Sequence, residues 1–452
     1  MLDNLVCGSA KGADLIERVN QDPLSYKANS PDGFNWPIGL PVVTAYRVGD
    51  NYHSNIKVSD IVDPSQFTNV LYVDINMPDS SGDGSSWVNA KKGIGQAIDT
   101  AISSGVPTLI LVKGGVYPRF YGFSNSGAEK VLTANICIKS VYGNVLTGAF
   151  DDHVYTKTVG YNNIYEVARS NACAAFNPST GGAYKLVGSL GECDSTPMSM
   201  YTDNANVYIH TEYSSAANNA NTRITLNALG AQLSGDYDVC MSGFSFYGGN
   251  NGALTVKDGS SNNVITENCK FSLAMSGSVG SYTAKDGVQV LGCGLFIGIN
   301  SEASNNSKDG FNIHEQGTVK PSSITINCSG FDNGNLIPSQ QSCNGLTLHD
   351  GCKGIDIGGK WLGSVGTNAG HVNDGTQVWH FGAIAGNSDG DTYNGGSIYF
   401  GAFGGWSGSC EIWLDSCVDI NSRISMRAGA GATVRYRNHT FNGIIDGNCI
   451  PY

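Results

Sequence analysis

The sequence predicts an all-β chain built as a stacked solenoid, a single-stranded parallel β-helix. Glycine fills 60 of 452 positions and charged residues only 14%, where ordinary proteins have about 7% and 25%. Beyond residue 230 the chain breaks into short β-rich segments, such as Ala253-Leu254-Thr255-Val256, Gly287-Val288-Gln289-Val290 and Gly345-Leu346-Thr347-Leu348, punctuated by Gly, Asn, Asp and Ser. Asp-Gly recurs at Asp258, Asp286, Asp309, Asp350 and Asp374, in steps of 28, 23, 41 and 24 residues. Repeats of this size mark stacked units, and the steps read as one, one, two and one coils.

Composition excludes other classes. Hydrophobic residues at 40% and aromatics at 10% supply a core and argue against disorder. Glycine has no three-residue period, so collagen is excluded. A net charge of −12 gives no footprint for nucleic-acid phosphates or anionic membranes. No apolar run reaches the roughly 18–20 residues that span a bilayer. Met1-Leu2-Asp3-Asn4-Leu5-Val6-Cys7 lacks the basic region and apolar core of a signal peptide. The 13 cysteines are scattered without a C-x-x-C pair. Strand-like settings for Cys137, Cys269 and Cys328 predict reduced, buried thiols, with a disulfide framework as the alternative.

Taken in order, residues 1–65 carry Pro23, Pro31, Pro37 and Pro41 and one short helical pattern from Ala10 to Val19. They read as an arm or anchoring segment. The trunk, 66–427, opens with a strand at Val70–Asp74 and a turn cluster at Asp79–Gly84, after which Ser85 or Ser86 can cap a helix. Ile94, Ala97, Ile98, Ala101 and Ile102 share one helical face, and Gly105 suits the C-cap. A buried strand at Thr108–Val112 and Gly114-Gly115-Val116-Tyr117 follow. Residues 150–230, rich in tyrosine without a period, read as an insertion, and 428–452 as a C-terminal cap.

Chemistry-bearing residues cluster late. Four of eight histidines (His314, His349, His371, His380) and four of six tryptophans (Trp361, Trp379, Trp406, Trp413) lie between residues 314 and 413. Coils stack about 4.8 Å apart, so Asp350 and Asp374 are expected side by side, with Asp309 two rungs from Asp350. Like charges this close raise one pKa, leaving a proton donor beside an ionised carboxylate, as glycoside hydrolysis requires. The expected roles are an acid/base pair of Asp350 and Asp374, with Asp309 the alternative partner. His314 and His349 would position or share a proton. Trp361, Trp379, Trp406 and Trp413, with His371 and His380, would line a sugar groove, since aromatic faces cover the apolar side of a pyranose. No HExxH spacing predicts a metal, and no G-x-S-x-G elbow a serine esterase. A lyase needs a base and a group to neutralise a uronate. The few candidates (Lys353, Lys360, Arg423, Arg427) tilt the expectation towards hydrolysis.

The strand–helix–strand–Gly-Gly-x-Tyr unit over 70–120 resembles the opening of the pectate-lyase-like right-handed parallel β-helix superfamily, whose helix caps the first coil. Asp309-Gly310-Phe311-Asn312-Ile313-His314, Asn344-Gly345-Leu346-Thr347-Leu348-His349-Asp350-Gly351 and Gly366-Thr367-Asn368-Ala369-Gly370-His371-Val372 are similar to runs in β-helix proteins of bacteria and in phage tailspikes. The resemblance covers residues 70–120 and 300–420. It implies a tailspike-type protein that binds and depolymerises bacterial capsular polysaccharide, lipopolysaccharide or exopolysaccharide. It also implies a homotrimer in the virion, joined to the phage tail or baseplate by its N-terminal segment. The alternatives are a secreted bacterial polysaccharide lyase or hydrolase and a non-catalytic spike or adhesin. No cofactor is expected, except Ca2+ on stacked carboxylates if the chain is a lyase.

Overall fold

In the computed structural model the described residues are 26–125, 127–337, 343–387, 398–403, 409–421 and 423–452. Trp406 and the helical pattern at Ala10–Val19 lie outside them. Each coil lays down three short strands, and each strand pairs in parallel with its equivalent in the next coil. Ladder 1 includes Asn263–Glu267, Leu295–Ile299, Ser322–Ile326, Lys353–Ile357, Gln377–Phe381 and Glu411–Asp415. Ladder 2 includes Lys270–Ser272, Glu302–Ser304, Ser329–Phe331 and Lys360–Leu362. Among the described residues ladder 3 has ten strands, including Asp286–Val290, Phe311–Ile313, Leu346–Leu348 and Ala369–Val372. The chain is a parallel β-helix.

Central coils run from 22 residues, Ile412 to Val434, to 35, Phe311 to Leu346. The Asp-Gly dipeptides do not mark a single corner. Asp286 begins a ladder-3 strand and Asp309 lies two residues before one, while Asp258 and Asp350 follow such strands. Ile313 pairs with Leu348, so Asp309 and Asp350 are one coil apart, not two, and at opposite ends of their strands.

The corner from ladder 1 to ladder 2 sets the stacking. Asn268, Asn300 and Asn327 sit there with φ of 51, 48 and 51°, a left-handed conformation that asparagine tolerates. Each N–H donates to the strand end of the next coil: Asn268 to Ile299, Asn300 to Ile326 and Asn327 to Ile357, at 2.8–2.9 Å. The next residue turns inward and must be small, which places Cys269, Cys328 and Cys417 in the core. The twelve described cysteines form no disulfide with one another, and eleven are buried.

The helix Ile94–Ser104 packs Ile94, Ala97, Ile98 and Ala101 on Leu71, Ile110 and Leu132 at the first coil. It begins later than Ser85 or Ser86 would place it. Gly93 precedes it, with its N–H donated to the Gln96 side chain at 3.2 Å. The Ser85 N–H is instead bound by Asp83 in a loop. Gly105 closes the helix with φ 61°.

Residues 26–67 form a three-stranded antiparallel sheet and following turns. They cover the outer face of ladder 1. Phe34, Val43 and Ala45 pack with Ile324, Ile355, Trp379, Phe381 and Trp413 in one buried cluster. The stretch 150–230 departs from the coil as a five-stranded and a three-stranded sheet. The ladders continue to the C-terminus, where Cys449–Pro451 pairs with Thr433–Arg437.

Inside the solenoid lies one connected polar chain. His371 Nδ1 accepts the Leu348 N–H at 3.2 Å, so its Nε2 carries the proton. That proton is donated to His380 Nε2 at 3.0 Å. His380 Nδ1–H then donates to Asp356 Oδ2 at 2.8 Å. Trp361 Nε1–H and the Thr325 hydroxyl complete the carboxylate, each at 2.8 Å. The donors all point one way, towards Asp356, so two neutral imidazoles and one carboxylate satisfy every group.

Two predictions follow from this packing. Trp413→Ala removes the indole against which Phe34 rests edge-on at 5.6 Å. It should cost about 3–5 kcal/mol by denaturant titration and make residues 26–67 the first cut in limited proteolysis. Burial, with the neighbouring His380, holds His371 well below the ordinary imidazole range. The unfolded chain therefore takes up a proton that the folded chain refuses. This stability is present above about pH 6.5 and is lost as the pH falls. Melting temperature should drop by several degrees between about pH 7.5 and 5, and His371→Gln should flatten the slope.

Candidate functional site

Alternation along ladder 3 sends Leu254, Val256, Val288, Val290, Phe311, Ile313, Leu346 and Leu348 into the core. Thr255, Gln289, Asn312 and Thr347 are therefore register partners on its outer face. They form a recessed polar row, with Asn312 only 2% exposed. Thr255 Oγ1 and the amide oxygens of Asn312 and Asn344 have no hydrogen-bond partner among the described residues.

At one end of this row stand Asp286 and Asp309. Val288 pairs with Phe311, so the residues two before them, Asp286 and Asp309, face each other one rung apart, about 4.8 Å. The Asn312 amide donates to the Oδ2 of both, at 3.2 Å each. Asp286 also accepts from the Asp309 N–H at 3.2 Å and Gln289 Nε2 at 3.4 Å, with Lys308 Nζ at 3.5 Å. Asp309 accepts the Asn344 N–H at 2.9 Å. The glycines after both aspartates are sterically required. A Cβ at Gly287 would lie 2.4 Å from Asn306 Nδ2, and one at Gly310 2.5 Å from the Gly345 carbonyl.

Burial pushes the Asp309 carboxyl up to about 7; the Lys308 ammonium opposes this and the Asp286 charge adds to it. The same carboxylates, Asp309 foremost, raise Lys308. Lys308 is the roof, 40% exposed where the Asp286 side chain is 2% exposed. The result is a proton-carrying acid beside a charge-compensated carboxylate.

At the other end of the row, His314 and His349 follow the paired residues Ile313 and Leu348, and their rings lie 4.8 Å apart. His314 Nε2 is 3.1 Å from Asp350 Oδ2. Burial holds His349 down to about 3, aided by His314 and Lys308. Asn312 and His314 are two residues apart, about 6.6 Å along the strand, so both groups belong to one face.

The other expected residues lie elsewhere. Asp350 is a corner residue at φ 55° whose register partner is Asn373, which donates to it; Asp374 lies one position on and caps the Ser409 N–H at 2.9 Å. They are not a facing acid/base pair. His349 and His371 also differ by one register position, and one position reverses the face. His371 and His380 consequently point inward and are fully buried. Trp379 and Trp413 pair on the outer face of ladder 1 beneath residues 26–67, and Trp361 is in the core. None of these lines an open groove. The candidate face adds Asp286, Lys308, Asn312, Asn344 and Thr347. The available signal is Asp286-Gly287-Val288-Gln289-Val290 against Asp309-Gly310-Phe311-Asn312-Ile313, the same polarity pattern 23 residues apart.

Calcium requires six or more oxygen ligands. Amide donors and the Lys308 ammonium already occupy the Asp286 and Asp309 oxygens, so this pair does not fit that ion. A separate cleft of about 440 Å3 lies between trunk and insertion, lined by Val116, Leu146, Pro178, Asn219 and Arg223 among others. Its guanidinium is paired with Asp152, and no carboxylate pair lines it.

The raised Asp309 has a stability consequence. A carboxyl whose folded value exceeds its unfolded value contributes stability below about pH 3.8 that is lost as the pH rises through about 7. Asp309→Asn should therefore melt higher than the parent chain at about pH 8, by a margin that shrinks towards about pH 5. A margin independent of pH would contradict the buried proton.

No family model matches the sequence, and no curated protein matches it. Among solved structures, the chain is similar to pectate lyase Pel9A, with TM-score 0.46 and 14% identity over 87% of this chain and 80% of that one. A glycoside hydrolase matches with TM-score 0.45 and 8% identity, over 82% and 97%. The tailspike protein gp49 of Acinetobacter baumannii bacteriophage Fri1, a capsular polysaccharide depolymerase, matches with TM-score 0.26 and 10% identity, over 84% and 59%.

Proposed function

We propose that the chain is a polysaccharide depolymerase that hydrolyses glycosidic bonds on the outer face of ladder 3. The observation that carries this reading is the Asp286–Asp309 pair. Two carboxyl groups stand one rung apart, and one is held near neutrality by burial and by the other's charge. Asp309 protonates the leaving glycosidic oxygen. Asp286, its charge supported by Lys308 and Asn312, attacks the anomeric carbon. Asp309 then takes a proton from the water that releases the sugar. Strands one rung apart, about 4.8 Å, suit the retaining course; the inverting course needs carboxyl groups roughly 6.5–9.5 Å apart to seat a water. The unpartnered oxygens of Thr255, Asn312 and Asn344 suit hydroxyl groups of the glycan. Lys308 must swing aside to admit the chain.

The finer reading is a tailspike-type protein. Its substrate would be a bacterial capsule, lipopolysaccharide or exopolysaccharide, and its assembly a virion-borne homotrimer attached through the N-terminal segment. The buried cysteines, without a disulfide among the described residues, support assembly in a reducing compartment, and the polar recessed face supports a hydroxyl-rich polymer.

The test is reducing-end release from a panel of bacterial surface polysaccharides, with light scattering on the same sample. Cleavage should fall about 10²–10⁴-fold in Asp309→Asn, with folding intact and mass near three times 47.5 kDa. Products carrying an unsaturated uronate, or full activity in Asp309→Asn and Asp286→Asn, would overturn the hydrolase assignment. A monomer would overturn the tailspike assignment.

A further inference from the structure

We propose that His314, His349 and Asp350 form a binding site for a divalent transition-metal ion of the zinc type. The inference is independent of the hydrolase reading, since it uses neither Asp286 nor Asp309. One ligand atom from each residue lies within 4.8 Å of the other two. The residues come from adjacent coils, His314 following one ladder-3 strand and His349-Asp350 the next, so the rigid stacking of the trunk holds them together.

The hydrogen bonding calls for a cation. His314 Nδ1 lies 3.0 Å from the Glu315 carbonyl, which can only accept, so Nδ1 carries the proton. In the neutral ring, Nε2 then presents a lone pair to Asp350 Oδ2 at 3.1 Å. Two acceptors at that distance need a cation between them, either a proton on the ring or a metal ion. The buried His349 Nε2 has no hydrogen-bond partner among the described residues. The backbone bond at His314 Nδ1 is the usual outer support that fixes a metal-ligating imidazole.

The donor set selects the ion. Zinc takes nitrogen and carboxylate ligands at about 2.0–2.2 Å in tetrahedral array, whose edges are then about 3.3–3.5 Å, close to the His314–Asp350 separation. Two imidazoles and a carboxylate suit Zn2+, Co2+ or Ni2+ and disfavour Ca2+ and Mg2+, which prefer oxygen. Three protein ligands leave a position for water or a substrate oxygen, and this position would face the same polar row as Asn312.

The test is titration of the full chain, freed of metal by chelator, with Co2+ followed by visible absorption and with Zn2+ by calorimetry. One equivalent per chain is expected, with tetrahedral cobalt bands and no thiolate charge-transfer band, which separates the site from the cysteines. His314→Gln and His349→Gln, each checked for unchanged melting, should weaken binding by at least about 100-fold, and His53→Gln should leave it unchanged. No stoichiometric uptake, thiolate charge transfer, or equal affinity in His349→Gln would overturn the proposal. In that case His314 and Asp350 are a simple imidazolium–carboxylate pair.

Discussion

Parallel stacking in strict register is the constraint on which everything else depends. At the ladder 1 to ladder 2 corner, a left-handed residue in each coil donates its N–H to the next coil. This pins one residue per coil and therefore every residue after it. Side chains alternate faces along a strand with a period of two, so the pinned corner decides which residues are core and which are surface. The same alternation puts Phe311 and Ile313 in the core and Asn312 and His314 outside.

The register also concentrates polar groups in two separate places. Inside, Asp356, His380 and His371 form a one-directional relay in which every group is satisfied, so it specifies the core without supplying a reactive group. Outside, Asp286 and Asp309 stand at one rung spacing with Lys308 above them. Buried charge of one sign is unfavourable, and the chain accepts this at Asp309 by holding a proton. That contrast separates the two clusters: the inner one is complete, and the outer one retains unpartnered oxygens at Thr255, Asn312 and Asn344.

Much of the fold was legible in the sequence because glycine and asparagine corners and β-rich segments are local signals. The capping helix was legible from its apolar face, though its start was placed at Ser85 or Ser86 when the intervening residues form a loop. The site was less legible because coil length varies from 22 to 35 residues. Counting Asp-Gly steps could therefore not distinguish aspartates before a ladder-3 strand from those after it. The spacing pairs Asp350 with Asp374 and keeps Asp309 as the alternative partner, whereas the register sets Asp309 beside Asp286. The tryptophans misled for a different reason. Trp379 and Trp413 do lie on an outer face, but residues 26–67 cover it, and that long-range docking leaves no periodic trace.

Register sets Asp309, its carboxyl pushed up to about 7 by burial, beside the Asp286 carboxylate. The most direct measurement is a carboxyl titration of chain labelled with 13C at the aspartate side chains, compared with Asp309→Asn. One aspartate in the parent should titrate near pH 7, around the value of about 7 that burial and Asp286 impose on Asp309, and that resonance should be missing from the variant. If every aspartate titrates below about pH 5, as exposed carboxyls do, the two residues are an ordinary structural pair and the account of the site fails.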